Sequence, residues 1–492
     1  MHQVDSEDAS FLFLEKADSP SHISALYLYD QSGLTDEVVR FKDIRTLVSN
    51  RLQSVPVFRQ RLKRVPGNLD YPYWVKDKRF DLDFHVRHLA LPKPGDWRQF
   101  CIQIARLHSR PLDMTRPPWE LYVIEGLDNM GGFPSNCFAL YFKVHHSAMD
   151  EFTAQELMMS LHQRMPNRRQ HEADAEHIYR AQAVHPKTGD LIVRAAVNNT
   201  VKSARLAMQA MQNIRPISKF ITRSSLRFAQ QMVKKRRDED LLESRFNRSL
   251  SPSRVFEGAI FDASIFRRLA DEVDSATVSH AVLTVIGEAL RLYLERHDEL
   301  GDVPLQALLA VNVRNAGAHA LTGNHIAINE IGLQTAVGYP IDRLQAIYSS
   351  HQDLHAIEAV ESTGVELRKL YENLPAPLLS WLGRTATIRT VLGQSFTGAV
   401  NCGLTEMDGP IKPLYFQGAK LLMFSSVAPI YTGCSLVFCT STYMDKLTLT
   451  FTSDRNIMPD PEFMRACLIE AVETVESQLR DAKRARNVKK TS

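Results

Sequence analysis

The segment KVHHSAMDEF, residues 143–152, sets two histidines side by side and an aspartate four positions after the second. An imidazole with an unperturbed pKa of roughly 6.5 can take up a proton near neutral pH. A carboxylate close by can fix its tautomer. A histidine of this pair is therefore a candidate general base. Asp150 can serve in either of two ways: by orienting the ring, or by holding the loop through a charge pair with an arginine. No GxSxG nucleophile elbow is present. The histidine is thus expected to activate a hydroxyl on a substrate rather than one on the protein. Partners at metal-ligand spacing are lacking, so no metal is expected.

These side chains need rigid supports. CFALYFKV, rich in aromatic and branched residues, reads as a buried strand running straight into His145 and His146. Ala154, Leu157, Met158 and Leu161 then recur at helical spacing, so a helix is expected to begin near Asp150, a good N-cap type. The motif therefore sits at a strand-to-helix junction that can face a cleft. ISALYLYD reads as an earlier strand and FKDIRTLVSNRLQ as a helix. Beyond residue 251, TVSHAVLTVIGEALRLYLERH reads as a helix, followed by strands at LQALLAVNVR, HIAINEIGLQ, GAVNCGLTEM, KLLMFSSVAP, SLVFCTSTYM and KLTLTFTSD, then a C-terminal helix. LLMFSSVAPIYTGCSLVF is interrupted by Ser, Pro, Thr and Gly, so it reads as two strands and a turn, not a membrane span. The simplest architecture is α/β: an N-terminal lobe over residues 1–165, a basic helical linker over 166–250, and a C-terminal lobe over 251–492.

The 492 residues carry a net charge of only +3 and no nucleic-acid motif, so no nucleic-acid partner is expected. Six scattered cysteines and a polar, acidic start argue for a reducing, cytoplasmic setting. Residues 191–237 contain eleven Lys and Arg and no Asp or Glu, with Val193, Val197, Val201, Ala204, Met208, Met211 and Ile214 at helical spacing. Such a segment suits an anionic surface, membrane headgroups or substrate phosphates, or else a solvated helix bridging two lobes.

The HHxxxD element after a strand resembles that of the CoA-dependent acyltransferase superfamily, which includes chloramphenicol acetyltransferase and peptide-synthetase condensation domains. RPLDMTRPPWELYVIEGL, residues 110–127, resembles the PLDxxRPLW block of bacterial wax ester synthase/acyl-CoA:diacylglycerol acyltransferases. DASFLFLEKADSPSHISALYLYD, PVFRQRLKRVPGNLDYPYWVKDKRFDLDFHVRHLALPKPG, NVRNAGAHALTGNHIAI and MDGPIKPLYFQGAKL resemble further blocks of that family, in its order. The resemblance implies two chloramphenicol-acetyltransferase-like lobes with a tunnel between them. It implies transfer of a long-chain acyl group from acyl-CoA, a substrate and not a cofactor, to a fatty alcohol or diacylglycerol. It gives His146 the role of general base and His145 that of shaping the site. Asp150 becomes structural, with Arg314 a candidate partner, and Asn324 lines the cleft. Peripheral contact with a membrane or lipid-droplet surface would use the basic stretch.

Two positions depart from the family pattern. The motif's glycine is replaced by Glu151, and Ser279-His280 stands where the family often has Asn-Asp. A glycine there would serve unusual backbone angles or close approach of substrate. If it only leaves space, Glu151 can point to solvent harmlessly. If substrate passes there, the charge would repel CoA phosphates and raise the pKa of His146. The alternative that Glu151 raises is a lipid-binding homologue with impaired catalysis. His280 is expected to pack within its helix.

Overall fold

The computed structural model describes residues 1–34, 38–52, 55–166, 187–212, 244–312, 326–360, 374–385 and 400–491. Its strands, in chain order, are β1 (His2–Gln3), β2 (His22–Asp30), β3 (Gln60–Lys63), β4 (Tyr73–Lys76), β5 (Val86–Ala90), β6 (Trp119–Leu127), β7 (Cys137–His145), β8 (Arg254–Asp262), β9 (Gln306–Asn312), β10 (Ile326–Gly332), β11 (Cys402–Asp408), β12 (Tyr415–Phe416), β13 (Ala419–Val427), β14 (Leu436–Tyr443) and β15 (Lys446–Asp454). The helices are α1 (Ser6–Leu14), α2 (Phe41–Leu52), α3 (Leu82–His85), α4 (Trp97–Ser109), α5 (Glu151–Met159), α6 (Thr188–Gln212), α7 (Ala263–Ala270), α8 (Val278–Arg296), α9 (Pro340–Val360), α10 (Ala376–Thr385) and α11 (Pro461–Thr491). The strands expected from the sequence are all present.

Two six-stranded sheets carry the fold, in the orders β12-β13-β2-β7-β6-β5 and β10-β9-β11-β14-β15-β8. Every residue of β7 is buried. Phe138, Leu140, Phe142 and Val144 enter one core with Ala154 and Met158 of α5. Cys137, Ala139 and Tyr141 enter another with Phe100 and Ile104 of α4 and Phe256 of β8. A strand covered on both faces reads as a near-continuous apolar run, and β7 keeps one from Cys137 to Phe142 before the buried Lys143 interrupts it. Because β8 belongs to the second sheet, the second of these cores is shared between the lobes.

The chain does not divide its sheets at a single point. LLMFSSVAPIYTGCSLVF does form two strands and a turn, but the strands belong to different sheets. β13 runs antiparallel to β2, from Lys420 opposite Asp30 to Val427 opposite Ser24. β14 lies between β11 and β15 in the second sheet. Without β13 the buried strand β2 would be a sheet edge with a row of unpaired amides. The return to the first sheet leaves β11 through Gly409, whose N–H donates to the Thr442 carbonyl at 2.7 Å. A Cβ there would lie 2.4 Å from that carbonyl oxygen, so only glycine fits the approach.

Helix α6 is the described part of the basic stretch; residues 167–186 and 213–243, with Ile214, lie outside the described residues. It docks through Leu191 and Ala195 onto Val65, Tyr73 and Val75. Asn198 Nδ2 donates to Asp70 Oδ2 at 2.7 Å. Val193, Val197, Val201 and Met208 are exposed. The row that helical spacing picks out therefore faces away from the fold. Among the described residues no helix is long and apolar enough to cross a membrane. All six cysteines are buried.

Candidate active site

The junction after β7 is held on both sides. His145 N–H donates to the Pro118 carbonyl at 3.0 Å, and His146 N–H donates to the Ser21 carbonyl at 2.9 Å. The His146 ring stacks on Phe11 of α1, with centroids 3.9 Å apart and planes 7° from parallel. This contact fixes the ring plane of the candidate base.

His145 is fully buried. Its Nδ1 accepts the Ser147 N–H at 3.1 Å, and Ser147 Oγ lies 2.7 Å from the same atom. A nitrogen that accepts a backbone N–H carries no proton, so in the neutral ring the proton sits on Nε2. That atom lies 3.6 Å from Glu15 Oε2. Burial would raise the Glu15 carboxyl, but His145 and the Ser21 N–H outweigh it and hold Glu15 below its ordinary range.

Asp150 has a defined task. It is the N-cap of α5 and accepts from Thr153 N–H at 2.7 Å and Thr153 Oγ1 at 2.6 Å. Of the two jobs open to it in the sequence, the geometry provides for holding the backbone, through a cap. Its candidate partner Arg314 lies outside the described residues, as does Asn324.

Glu151 does not point to solvent. It is 6% exposed, and its carboxyl is within hydrogen-bonding reach of Thr405 on β11. Burial, reinforced by the Asp150 charge and opposed by Thr405, pushes its pKa up to about 7. One helical turn on, Gln155 Nε2 donates to the Asp408 carbonyl at 3.4 Å. Two side chains of α5 thus reach along β11. The first turn of a helix is normally wet, but here the second lobe covers it.

His280 forms a capping box with Thr277 at the head of α8. Its Nδ1 accepts the Thr277 N–H at 3.0 Å, and its Nε2 lies 3.0 Å from His351 Nδ1. Among the described residues no group of three or more His, Cys, Asp or Glu side chains could hold a metal ion.

The sequence reading singled out neither Phe11, Glu15, Ser21, Thr405 nor Tyr431. Each reaches the motif across a long loop of chain, so spacing held no signal for them. The β2–β7 pairing, His22 opposite His145, is what brings the first three near.

The wax ester synthase/diacylglycerol acyltransferase catalytic domain matches residues 4–281, and the WS/DGAT C-terminal domain matches residues 322–476. The chain is 27% identical over 480 residues to O-acyltransferase WSD of Acinetobacter baylyi, covering 95% of this chain and 96% of that one. Its fold matches the wax ester synthase/diacylglycerol acyltransferase of Marinobacter aquaeolei VT8 with a TM-score of 0.65 at 23% identity, covering 97% and 99% of the two chains. The first condensation domain of the calcium-dependent antibiotic synthetase shares the fold at a TM-score of 0.53 and 13% identity, with 98% and 96% covered.

Proposed function

The chain belongs to the wax ester synthase/diacylglycerol acyltransferase family and is an acyl-CoA-dependent O-acyltransferase, and on that premise we propose that His146 is the general base of a direct transfer. His146 takes the proton from the acceptor hydroxyl as its oxygen attacks the thioester carbonyl carbon. The tetrahedral intermediate collapses, the carbon–sulfur bond breaks, and the CoA thiolate takes the proton back from the imidazolium. The products are an ester and CoA thiol, with no acyl-enzyme. A long-chain alcohol gives a wax ester, and diacylglycerol gives triacylglycerol. The observation that carries the reading is the construction of the junction. Phe11 sets the ring plane, Ser21 holds the backbone, and the Asp150 cap fixes the helix that follows. Asp150 and His145 are positioning residues in this scheme.

The test is CoA release from palmitoyl-CoA with hexadecanol or 1,2-dioleoylglycerol. His146→Ala should lower acceptor-dependent release by about 10²–10⁴-fold, the usual contribution of a general base. Equal release from both proteins would refute the assignment. A second reading, a lipid-binding homologue with impaired catalysis, draws on the buried Glu151. It predicts no release from the unmodified chain while Glu151→Gly restores it.

Helix α6 supports peripheral contact with a lipid surface on the cytoplasmic side. Val193, Val197, Val201 and Met208 are exposed on it, with exposed Arg194 and Arg205 between them. Such a face can insert apolar side chains while its cations meet anionic headgroups. Co-sedimentation with anionic vesicles should weaken when Val193 and Val197 are changed to Ser. Unchanged binding would place the contact elsewhere.

A further inference from the structure

An acyl transfer of this kind puts negative charge on the former thioester carbonyl oxygen. None of the groups assigned so far is a donor to it. Two buried hydroxyls beside the motif meet that need. Ser21 is fully buried, and it is fixed at both ends of its peptide. Its N–H donates to Glu15 Oε1 at 3.3 Å, and its carbonyl accepts the His146 N–H at 2.9 Å. Tyr431 comes from the other end of the chain, just after β13. A tight turn holds it: its N–H donates to the Cys434 carbonyl at 3.2 Å, and its carbonyl accepts the Cys434 N–H at 2.8 Å. Ser19 Oγ donates to the Ile430 carbonyl at 2.9 Å, which ties this turn to the loop that carries Ser21.

The Ser21 and Tyr431 hydroxyls are neighbours, and Glu15 and Glu151 lie close to Tyr431. Both hydroxyl oxygens are buried, and among the described residues each finds only the other as a hydroxyl partner. Two hydroxyls facing each other can share only one hydrogen bond, so one buried O–H is left over, and unused buried hydrogen-bonding capacity needs a reason. The neighbouring acids do not supply one. Glu15 is engaged by His145 and the Ser21 N–H, and Glu151 by Thr405. Burial, with the nearby acids, holds the Tyr431 phenol far above its ordinary range, so it keeps its proton at any working pH.

We propose that the Tyr431 and Ser21 hydroxyls are the oxyanion donors of the transfer, an assignment that rests on the acyl-transfer reading above. When the acceptor oxygen bonds to the carbonyl carbon, the C=O π pair moves onto oxygen. The two hydroxyls donate hydrogen bonds to that oxygen and transfer no proton. When the C=O re-forms and CoA leaves, the hydrogen bonds weaken again. Donors already fixed before the reaction need no reorganisation at the transition state, which is where such groups act most strongly. One donor from each half of the chain would also make the site complete only when the lobes are together.

The experiment uses the full chain with palmitoyl-CoA and hexadecanol. Tyr431→Phe removes one oxygen atom. It should lower kcat by about 10–10³-fold, the range for loss of one oxyanion donor. The KM for palmitoyl-CoA should stay within about twofold, and any fall in the thermal midpoint should be no more than the loss of one hydroxyl–hydroxyl contact brings, too small to account for the fall in kcat. Ser21→Ala should lower kcat in the same way, and it serves alone if Tyr431→Phe does not fold. A merely structural pair would move the midpoint or KM and leave kcat in place. Unchanged kcat in folded Tyr431→Phe and Ser21→Ala, with His146→Ala inactive, overturns the donor assignment and leaves the base assignment standing. Full activity in His146→Ala would instead overturn the reading on which the donors depend.

Discussion

His146 in the first lobe and His280 in the second are both buried close to the start of a helix. Their surroundings differ in one respect that decides what each can do. At α8 the histidine itself completes the cap. Its Nδ1 accepts the Thr277 N–H, and its Nε2 meets His351. At α5 the cap is a carboxylate, Asp150, which takes the Thr153 N–H and hydroxyl. The helix start is satisfied without the histidine, and the ring of His146 lies flat on Phe11. The capping duty that His280 carries at its helix falls at α5 to Asp150. The two lobes also treat buried charge differently. The first keeps its buried histidines His22 and His108 neutral, chiefly by burial and then by the nearby Lys143 charge. The second sets a buried carboxylate between two guanidinium groups. Glu288 of α8 meets Arg343 of α9 at 2.6 Å and Arg291 at 2.7 Å.

The largest expected effect tests whether stability and chemistry are divided between the lobes. Arg343 is fully buried, and Glu288 is its carboxylate partner. Glu288→Ala leaves that cation without a counter-charge, which should cost about 3–5 kcal/mol of stability. Turnover per folded molecule should not change. Chemical denaturation beside an activity assay on the soluble fraction measures both. A drop in kcat with stability intact would mean that the second lobe's ions act on the site.

The next effect lies at the seam between the lobes. Glu151 has its pKa raised from 4.5 to about 7. Between those values the unfolded carboxyl has already lost its proton, while the folded one keeps it. Its contribution therefore makes stability fall as pH rises from about 4.5 to about 7 and stay level above. The span is at most about 3 kcal/mol. Glu151→Gln cannot ionise, so its stability should change less over that window. Parallel pH profiles of the two proteins would reveal a buried neutral acid if they diverge. Profiles that coincide would mean the carboxyl is solvated in solution.

The sequence made the local parts of this arrangement legible. The strand into His145, the helix after Asp150 and the packed role of His280 follow from apolar spacing and cap chemistry within about ten residues. The parts that depend on distant chain were not legible. Nothing in KLLMFSSVAP says that it pairs with residues nearly four hundred positions earlier, because a strand carries no label for its partner. The burial of Glu151 has the same cause. A glutamate in a first turn is ordinarily solvent-facing and favourable there, and only the placement of β11 removes its water. Ser21 and Tyr431 are unremarkable types in unremarkable contexts. Only the meeting of their buried hydroxyls, near Glu15 and Glu151, gives them meaning.

The smallest effect tests the comparison most directly, because it touches the second histidine alone. His280→Ala removes the acceptor for the Thr277 N–H and the partner of His351. Loss of a capping interaction of this kind costs about 1 kcal/mol. Glutamine is the ordinary third-position residue of a capping box, and its side-chain oxygen can take the same N–H. His280→Gln should therefore recover part of the loss, while contact with His351 stays broken. Neither change should alter kcat. If Gln is no better than Ala, the cap is not what His280 supplies. If kcat falls in both while the thermal midpoint holds, the second histidine also acts on the chemistry, and the division drawn between the two helix starts fails.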